Sequence, residues 1–169
     1  MKRDKCVFLD RDGTLIQDKG YVYQKKDLTF LYGVPQALKI LKRKGFKLIV
    51  ITNQSGVSRG YFTLRDVHAF HQYMNRCLRI EAGVEIDDFF VCPHLPSGCI
   101  APYNILCDCR KPKPGLIYKA MEKYPIDISA SYMVGDKLTD IWLGYSLPLK
   151  GVYSITDDHS LLRYAKCMI

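Results

Sequence analysis

The sequence predicts an α/β fold, with a mostly parallel central sheet and helices on both of its faces. Three observations carry that expectation. Short apolar strands alternate with segments whose apolar residues recur at helical spacing. The second strand is apolar nearly throughout, as a strand covered on both faces must be. Polar residues capable of chemistry stand directly after the strands, where open α/β sheets place their ligands.

The elements follow in order. Residues 6–9 form a short apolar strand that stops at Asp10. Val34, Ala37, Leu38 and Leu41 mark a helix, and Gly45 ends it. Residues 46–51 form the second strand. Thr63 is a helix N-cap, and the helix runs through Val67, Phe70, Met74 and Leu78 to Gly83. Residues 88–92 are a third strand. The proline- and cysteine-rich stretch 93–114 is a loop. A helix over 116–124, a strand over 130–134, a helix over 137–145 and a strand over 150–155 complete the alternation. His68 and His71, one turn apart on the second helix, are expected on its exposed face. Cys6 and Cys77 are expected in the core.

A length of 169 residues with 48% hydrophobic composition suits one domain, residues 1–169, with a sizeable core. No apolar run approaches the roughly 18 residues of a membrane span. The charged start Met1-Lys2-Arg3-Asp4-Lys5 and the short apolar run after it do not make a signal peptide. A cytoplasmic monomer that binds neither membrane nor nucleic acid is expected. The net charge of +8 is scattered, with no basic run longer than Lys42-Arg43-Lys44, and fits steering of a small anionic substrate. Seven cysteines, an odd number, argue against a disulfide framework, and four of them fall between 92 and 109. Such clustering suggests metal.

The first motif is Phe8-Leu9-Asp10-Arg11-Asp12-Gly13-Thr14. Two carboxylates two residues apart after a strand can bind a hard cation such as Mg²⁺ through oxygen. They can also divide labour, one attacking and the other handling the proton. An Asx-turn at a strand end would account for a lone Asp-x-Asp, but three further motifs stand in order behind this one. Thr52 closes the second strand, Lys111 stands near the end of the loop, and Gly135-Asp136-Lys137-Leu138-Thr139-Asp140 closes the fourth strand. Together they resemble the signature of the haloacid dehalogenase-like phosphohydrolases. The resemblance implies their Rossmann-like fold and a set of roles. Asp10 would be the nucleophile that forms an aspartyl phosphate, and Asp12 the general acid and base. Asp10, Asp12 and Asp136 would hold Mg²⁺. Thr52, the Asn53 backbone N–H and Lys111 would stabilise the transferring phosphoryl group, and Asp140 would orient Lys111 or a metal-bound water.

The second constellation is Cys92-Pro93-His94, then twelve residues, then Cys107-Asp108-Cys109. Four such donors suit tetrahedral Zn²⁺ in a closed structural site spanning 92–109, with Cys99 as a rival ligand. Cys-Pro-His followed by Cys-Asp-Cys-Arg-Lys-Pro resembles the heptose 1,7-bisphosphate 7-phosphatases and the histidinol-phosphate phosphatases. The twelve-residue gap fits the heptose enzymes. That resemblance runs from about residue 6 to residue 141 and implies a Mg²⁺-dependent sugar bisphosphate phosphatase. Its substrate would be D-glycero-D-manno-heptose 1,7-bisphosphate, on the route to nucleotide-activated heptose and lipopolysaccharide core. The alternatives are histidinol phosphate as substrate, or an inactive zinc-stabilised binding module. Intact Asp10, Asp12, Lys111 and Asp136 argue against the last.

The resemblance also implies substrate contacts at Asp18, Lys19, Gly20 and Tyr21, at Thr52, Asn53, Gln54 and Ser55, and at Arg110, Lys111 and Lys137. Only 39 residues separate Asp12 from Thr52, and they already hold a helix and most of a strand. The cap is therefore minimal, and the zinc loop is the sizeable insert left to read the substrate. After Asp140 the family's Ala-Gly-rich helix gives way to Ile141-Trp142-Leu143-Gly144-Tyr145-Ser146, so the resemblance does not support the last strand and helix.

Overall fold

The computed structural model describes residues 3–157 and 159–169. Five strands, β1 (Cys6–Leu9), β2 (Lys47–Asn53), β3 (Asp88–Cys92), β4 (Tyr132–Gly135) and β5 (Gly151–Ser154), form one sheet in the order β3-β2-β1-β4-β5. Every pairing is parallel. The connecting helices are α1 (Val34–Arg43), α2 (Leu64–Ala82), α3 (Gly115–Lys123) and α4 (Leu138–Tyr145), and α5 (Ser160–Cys167) follows β5.

Alternation along the strands divides the core in two. Val7, Leu9, Leu48, Val50, Tyr132 and Val134 pack on one face with side chains of α1, α2 and α5, among them Leu38, Phe70 and Leu161. Phe8, Ile49, Ile51 and Met133 pack on the other with Leu116 and Ile117 of α3 and Leu143 of α4. Both faces are covered, which is why β1 and β2 read as continuous apolar runs. Each such fully buried side chain contributes about 1.5–3 kcal/mol. The chain adds β2 and β3 on one side of β1, then β4 and β5 on the other. Crossovers of fixed hand therefore put α1 and α2 on one face and α3 and α4 on the other. Between β1 and β4 the direction reverses, and the crevice there lies at the carboxyl ends of the strands.

The ends of α2 match their sequence signals. Thr63 Oγ1 accepts from the Asp66 N–H at 3.2 Å, and Asp66 Oδ2 accepts from the Thr63 N–H at 2.8 Å. Gly83 closes the helix at φ 64°.

Three expectations need correction. First, His71 is buried rather than on an exposed helix face, while His68 is exposed. Second, Cys77 is only half-buried, unlike Cys6. Third, the last strand and helix, which the resemblance left unsupported, are both present, as β5 within the expected 150–155 and as α5. Leu161, Ala165 and Met168 of this segment join the α1 face of the core. The Lys44 ammonium donates to the carbonyls of Lys166 and Met168 at 2.7 Å each and so satisfies the end of α5. Gly144 of α4 lets β5 approach, since a Cβ there would lie 2.7 Å from the Val152 methyl groups.

Candidate active site

The site grows from the end of β1. The Asp10 N–H donates to the Val134 carbonyl at 2.9 Å, carrying the sheet ladder one residue past the strand. The chain then turns through Gly13 at φ 80°, and a Cβ there would lie 2.3 Å from Asp136 Oδ2. Only glycine lets the turn after β1 meet the loop after β4 so closely. Asp10 and Asp136, far apart in sequence, become neighbours.

Lys111 joins them from the loop before α3. Its ammonium lies 2.6 Å from Asp10 Oδ1 and 2.5 Å from Asp140 Oδ1. Burial works against its charge, but Asp10 and Asp140 more than offset that and hold its pKa above the ordinary value. Asn53, at the end of β2, clamps the backbone of Lys111 from both sides. Its Oδ1 accepts from the Lys111 N–H at 3.0 Å, and its Nδ2 donates to the Lys111 carbonyl at 3.2 Å. Asp140 Oδ2 accepts from the Lys137 N–H at 3.1 Å and so caps α4.

Oxygens of Asp10, Asp136 and Asp140 lie within 4.8 Å of one another. Burial, and then the nearby Asp10 charge, push the Asp136 carboxyl up to about 7. Carboxylates crowded in this way hold protons unless a cation takes their place. Lys111 serves Asp140 and one oxygen of Asp10. Oxygen donors therefore remain on Asp10 and Asp136, a donor set that fits Mg²⁺.

Asp12 points into the same crevice and is held from two sides. Arg11 donates to both of its oxygens, Nε to Oδ2 at 3.1 Å and Nη2 to Oδ1 at 2.9 Å. Gln54 Nε2 donates to Asp12 Oδ2 at 2.9 Å and to Thr52 Oγ1 at 2.8 Å. Burial raises the Asp12 pKa, and the Arg11 charge lowers it only in part. Arg11 was not singled out in the sequence. A signal for it existed: residues flanking it both face the crevice, so its own side chain must turn the other way, into the protein.

A cavity of about 420 Å³ opens above these groups. Asp12, Asp18, Gly20, Tyr21, Asn53, Gln54, Ser55, Arg110, Lys111 and Lys137, all expected at the site, line it. Thr52 lies buried behind Gln54. Lys19 is not brought to this cavity: its ammonium donates to the Asp27 carbonyl at 3.2 Å and to Thr29 Oγ1 at 2.9 Å. Lys137 pairs with Asp18 at 3.0 Å across the rim. Tyr21 sits at φ 53°, beside Gly20 at φ 76°, with its ring edge-on to Tyr61 at 4.8 Å. A non-glycine residue in that conformation stores strain, here spent on placing a ring at the cavity.

The zinc motif converges too. Cys92 Sγ lies 3.6 Å from both His94 Nδ1 and Cys107 Sγ, Cys109 Sγ lies 3.3 Å from His94 Nδ1, and the Cys107 and Cys109 sulfurs are 3.4 Å apart. Tetrahedral Zn–S and Zn–N bonds would set such edges at about 3.5–3.8 Å, so this donor set fits zinc. Cys99 stands outside it, exposed, with its thiol on the Arg59 carbonyl. Arg110 follows the ligand Cys109, and its Nη1 donates to the His94 carbonyl at 3.2 Å. The loop also leans on the 54–62 turn, where the Ser58 carbonyl accepts from the Cys99 and Ile100 N–H groups at 2.8 and 3.0 Å.

Comparison with known proteins agrees with this geometry. The family model for polynucleotide kinase 3 phosphatase matches residues 5–159. The chain is 48% identical to the D-glycero-beta-D-manno-heptose-1,7-bisphosphate 7-phosphatase of Haemophilus ducreyi over 137 residues, 81% of this chain and 75% of that one. It is 44% identical to the protein of the same name from Escherichia coli K12 over 136 residues, 80% of this chain and 71% of that one. Among solved structures it resembles a D,D-heptose 1,7-bisphosphate phosphatase from B. bronchiseptica complexed with magnesium and phosphate. There the TM-score is 0.79 at 28% identity, over 98% of this chain and 99% of that one. With its carboxylates, lysine and zinc-type loop at the same places in the sheet that its motifs predict, the chain belongs to the haloacid dehalogenase-like phosphatases, in the family of the heptose 1,7-bisphosphate 7-phosphatases.

Proposed function

We propose that the protein removes the 7-phosphate of D-glycero-D-manno-heptose 1,7-bisphosphate, through an aspartyl phosphate on Asp10, in the synthesis of activated heptose for lipopolysaccharide core. The observation that carries this reading is the buried Asp10–Lys111–Asp140 ion cluster opening onto a cavity that Arg110 and Lys137 also line. The names of the relatives at 44–48% identity supply the sugar.

Asp10 attacks phosphorus through one of its carboxylate oxygens, in line with the departing sugar oxygen. Asp12, with its pKa raised by burial, gives its proton to that oxygen and takes one back from the water that opens the acyl phosphate. Lys111 neutralises the equatorial oxygens, together with the Thr52 hydroxyl and the Asn53 N–H. Mg²⁺, held by the carboxylates of Asp10 and Asp136 and by the Asp12 carbonyl, would lower the repulsion between the nucleophile and its phosphate. Asp18, Gly20, Tyr21, Gln54, Ser55 and Lys137 enclose the sugar. Lys19 supports that segment from behind through Asp27 and Thr29.

Cys92, His94, Cys107 and Cys109 would hold Zn²⁺, which would fix the loop and with it Arg110, whose guanidinium grips groups distant from the chemistry. Elemental analysis of untagged protein from zinc-replete medium should find about one zinc per chain, and protein free of zinc would remove the site. A single-domain monomer in a reducing, cytoplasmic setting, which keeps the zinc-type cysteines and Cys6, Cys77, Cys99 and Cys167 as thiols, completes the reading.

Arg110 provides the test of substrate class. Arg110→Ala should lower kcat/KM for the heptose bisphosphate by about 10- to 100-fold, the worth of one or two charge-assisted hydrogen bonds. With p-nitrophenyl phosphate, which lacks the distant groups, the loss should stay under about threefold. Equal losses on both would place Arg110 in the reacting centre and end the zinc loop's role in specificity.

A further inference from the structure

We propose that His71, on α2, is a positioning residue for Asp12, acting through the buried side chain of Arg11. The inference rests on the general-acid reading of Asp12 given above.

Arg11 is fully buried, at 0% exposure, and each of its three guanidinium nitrogens has a partner. Nε and Nη2 hold the two oxygens of Asp12. Nη2 also donates to the Val22 carbonyl at 2.6 Å, and Nη1 lies 3.2 Å from His71 Nε2. The guanidinium carbon sits 5.1 Å from the centre of the Phe70 ring. The fork can therefore present only one edge to Asp12, and His71 closes the opposite edge.

For that contact to be attractive, His71 Nε2 must accept, so the imidazole is neutral and carries its proton on Nδ1. Burial, with the Arg11 charge next, keeps the ring neutral by pulling its pKa well below the ordinary value. The ring is stacked on Phe89, with centroids 4.2 Å apart and planes at 15°, which sets its angle toward Arg11. Nδ1 has no hydrogen-bond partner among the described residues. A buried arginine and a buried histidine with one unpaired nitrogen are a poor way to stabilise a core. A function in orienting Asp12 explains why the pair is buried beside Phe70 and Phe89.

The chemistry served is one proton transfer. Asp12 gives its proton to the leaving sugar oxygen as the P–O bond breaks, and the Asp10 oxygen takes the phosphorus. An alkoxide needs that proton, whereas p-nitrophenolate leaves without it. Misorienting the carboxyl should therefore slow departure of poor leaving groups selectively.

The test compares kcat/KM, which reports steps up to departure of the alcohol, for heptose 1,7-bisphosphate and for p-nitrophenyl phosphate. His71→Leu should lower the sugar value at least tenfold and the aryl value less than threefold, with no fall in melting temperature. His71→Gln should restore most of the loss, because its amide oxygen can accept from Arg11. If His71→Leu does not yield soluble protein, His71→Phe, which keeps the stack on Phe89 but offers no acceptor, serves in its place with the same expected result. Equal losses on both substrates, or no rescue by glutamine, would overturn the proposal and leave His71 a packing residue. Asp12→Asn distinguishes the two levels. If it shows the leaving-group selectivity and the His71 variants do not, only this inference falls. If Asp12→Asn itself lacks the selectivity, the general-acid reading falls.

Discussion

Asp10→Asn is expected to reduce phosphate release by at least about 10⁴-fold, the scale on which a lost nucleophile is felt. An amide cannot form the acyl phosphate, and its geometry is otherwise nearly that of the acid. The fold should survive. Asp10 lies among the carboxylates of Asp136 and Asp140, so removing its charge relieves repulsion, while Lys111 keeps Asp140 as partner. The melting temperature should stay level or rise. Steady-state phosphate release and a thermal melt check both halves, and turnover within tenfold of the wild type would rule out Asp10 as nucleophile.

Lys111→Ala should be nearly as damaging, by at least about 10³-fold, and for a different reason. It removes the cation that meets the equatorial phosphoryl oxygens, so sugar and aryl phosphates should suffer alike. It also costs stability, because Asp140 is fully buried and would lose its only cation within reach among the described residues. Breaking a buried pair from one side costs about 3–5 kcal/mol. Denaturant unfolding of the variant measures that loss. A variant as stable as the wild type would show that Asp140 sheds its charge by taking up a proton, which burial and Asp10 already favour. Adding Asp140→Asn to Lys111→Ala should recover much of the stability and none of the activity.

Much of this architecture was legible because the sheet is buried on both faces. β1, β2 and β4 have no solvent side, so their sequences are apolar and end abruptly where the backbone reaches the crevice, at Asp10, Thr52 and Asp136. The ends of strands and the chemistry therefore announced each other. The pairing of Asp140 with Lys111 was also within reach of the sequence, since an acid one turn into α4 looks back toward the end of β4. α5 was harder to see. It is eight residues long, and its apolar stripe of Leu161 and Ala165 is completed only by Met168 beyond its end. Its burial depends on α1, over a hundred residues earlier, and on Lys44 at its terminus.

His71 was misread because a histidine on an amphipathic helix usually faces water. Val67 and Met74, four residues before it and three after, share its face of α2, and its ring stacks on Phe89, while its polar partner there, the guanidinium of Arg11, is one that no helical spacing can reveal. Lys19 was drawn into the substrate list by its neighbours Asp18 and Gly20, yet its long side chain runs back to Asp27 and Thr29. Single-residue direction in loops is set by tertiary contacts, and the motif around such a residue does not determine it.

The central claim is that this site hydrolyses one particular phosphate of a sugar bisphosphate. The most direct measurement is ³¹P NMR of D-glycero-D-manno-heptose 1,7-bisphosphate incubated with the protein, with Mg²⁺ and with EDTA. The account predicts that with Mg²⁺ the 7-phosphate resonance is replaced by inorganic phosphate while the anomeric 1-phosphate persists, and that EDTA stops the change. Loss of the anomeric phosphate, or a spectrum unchanged in the presence of Mg²⁺, would contradict it.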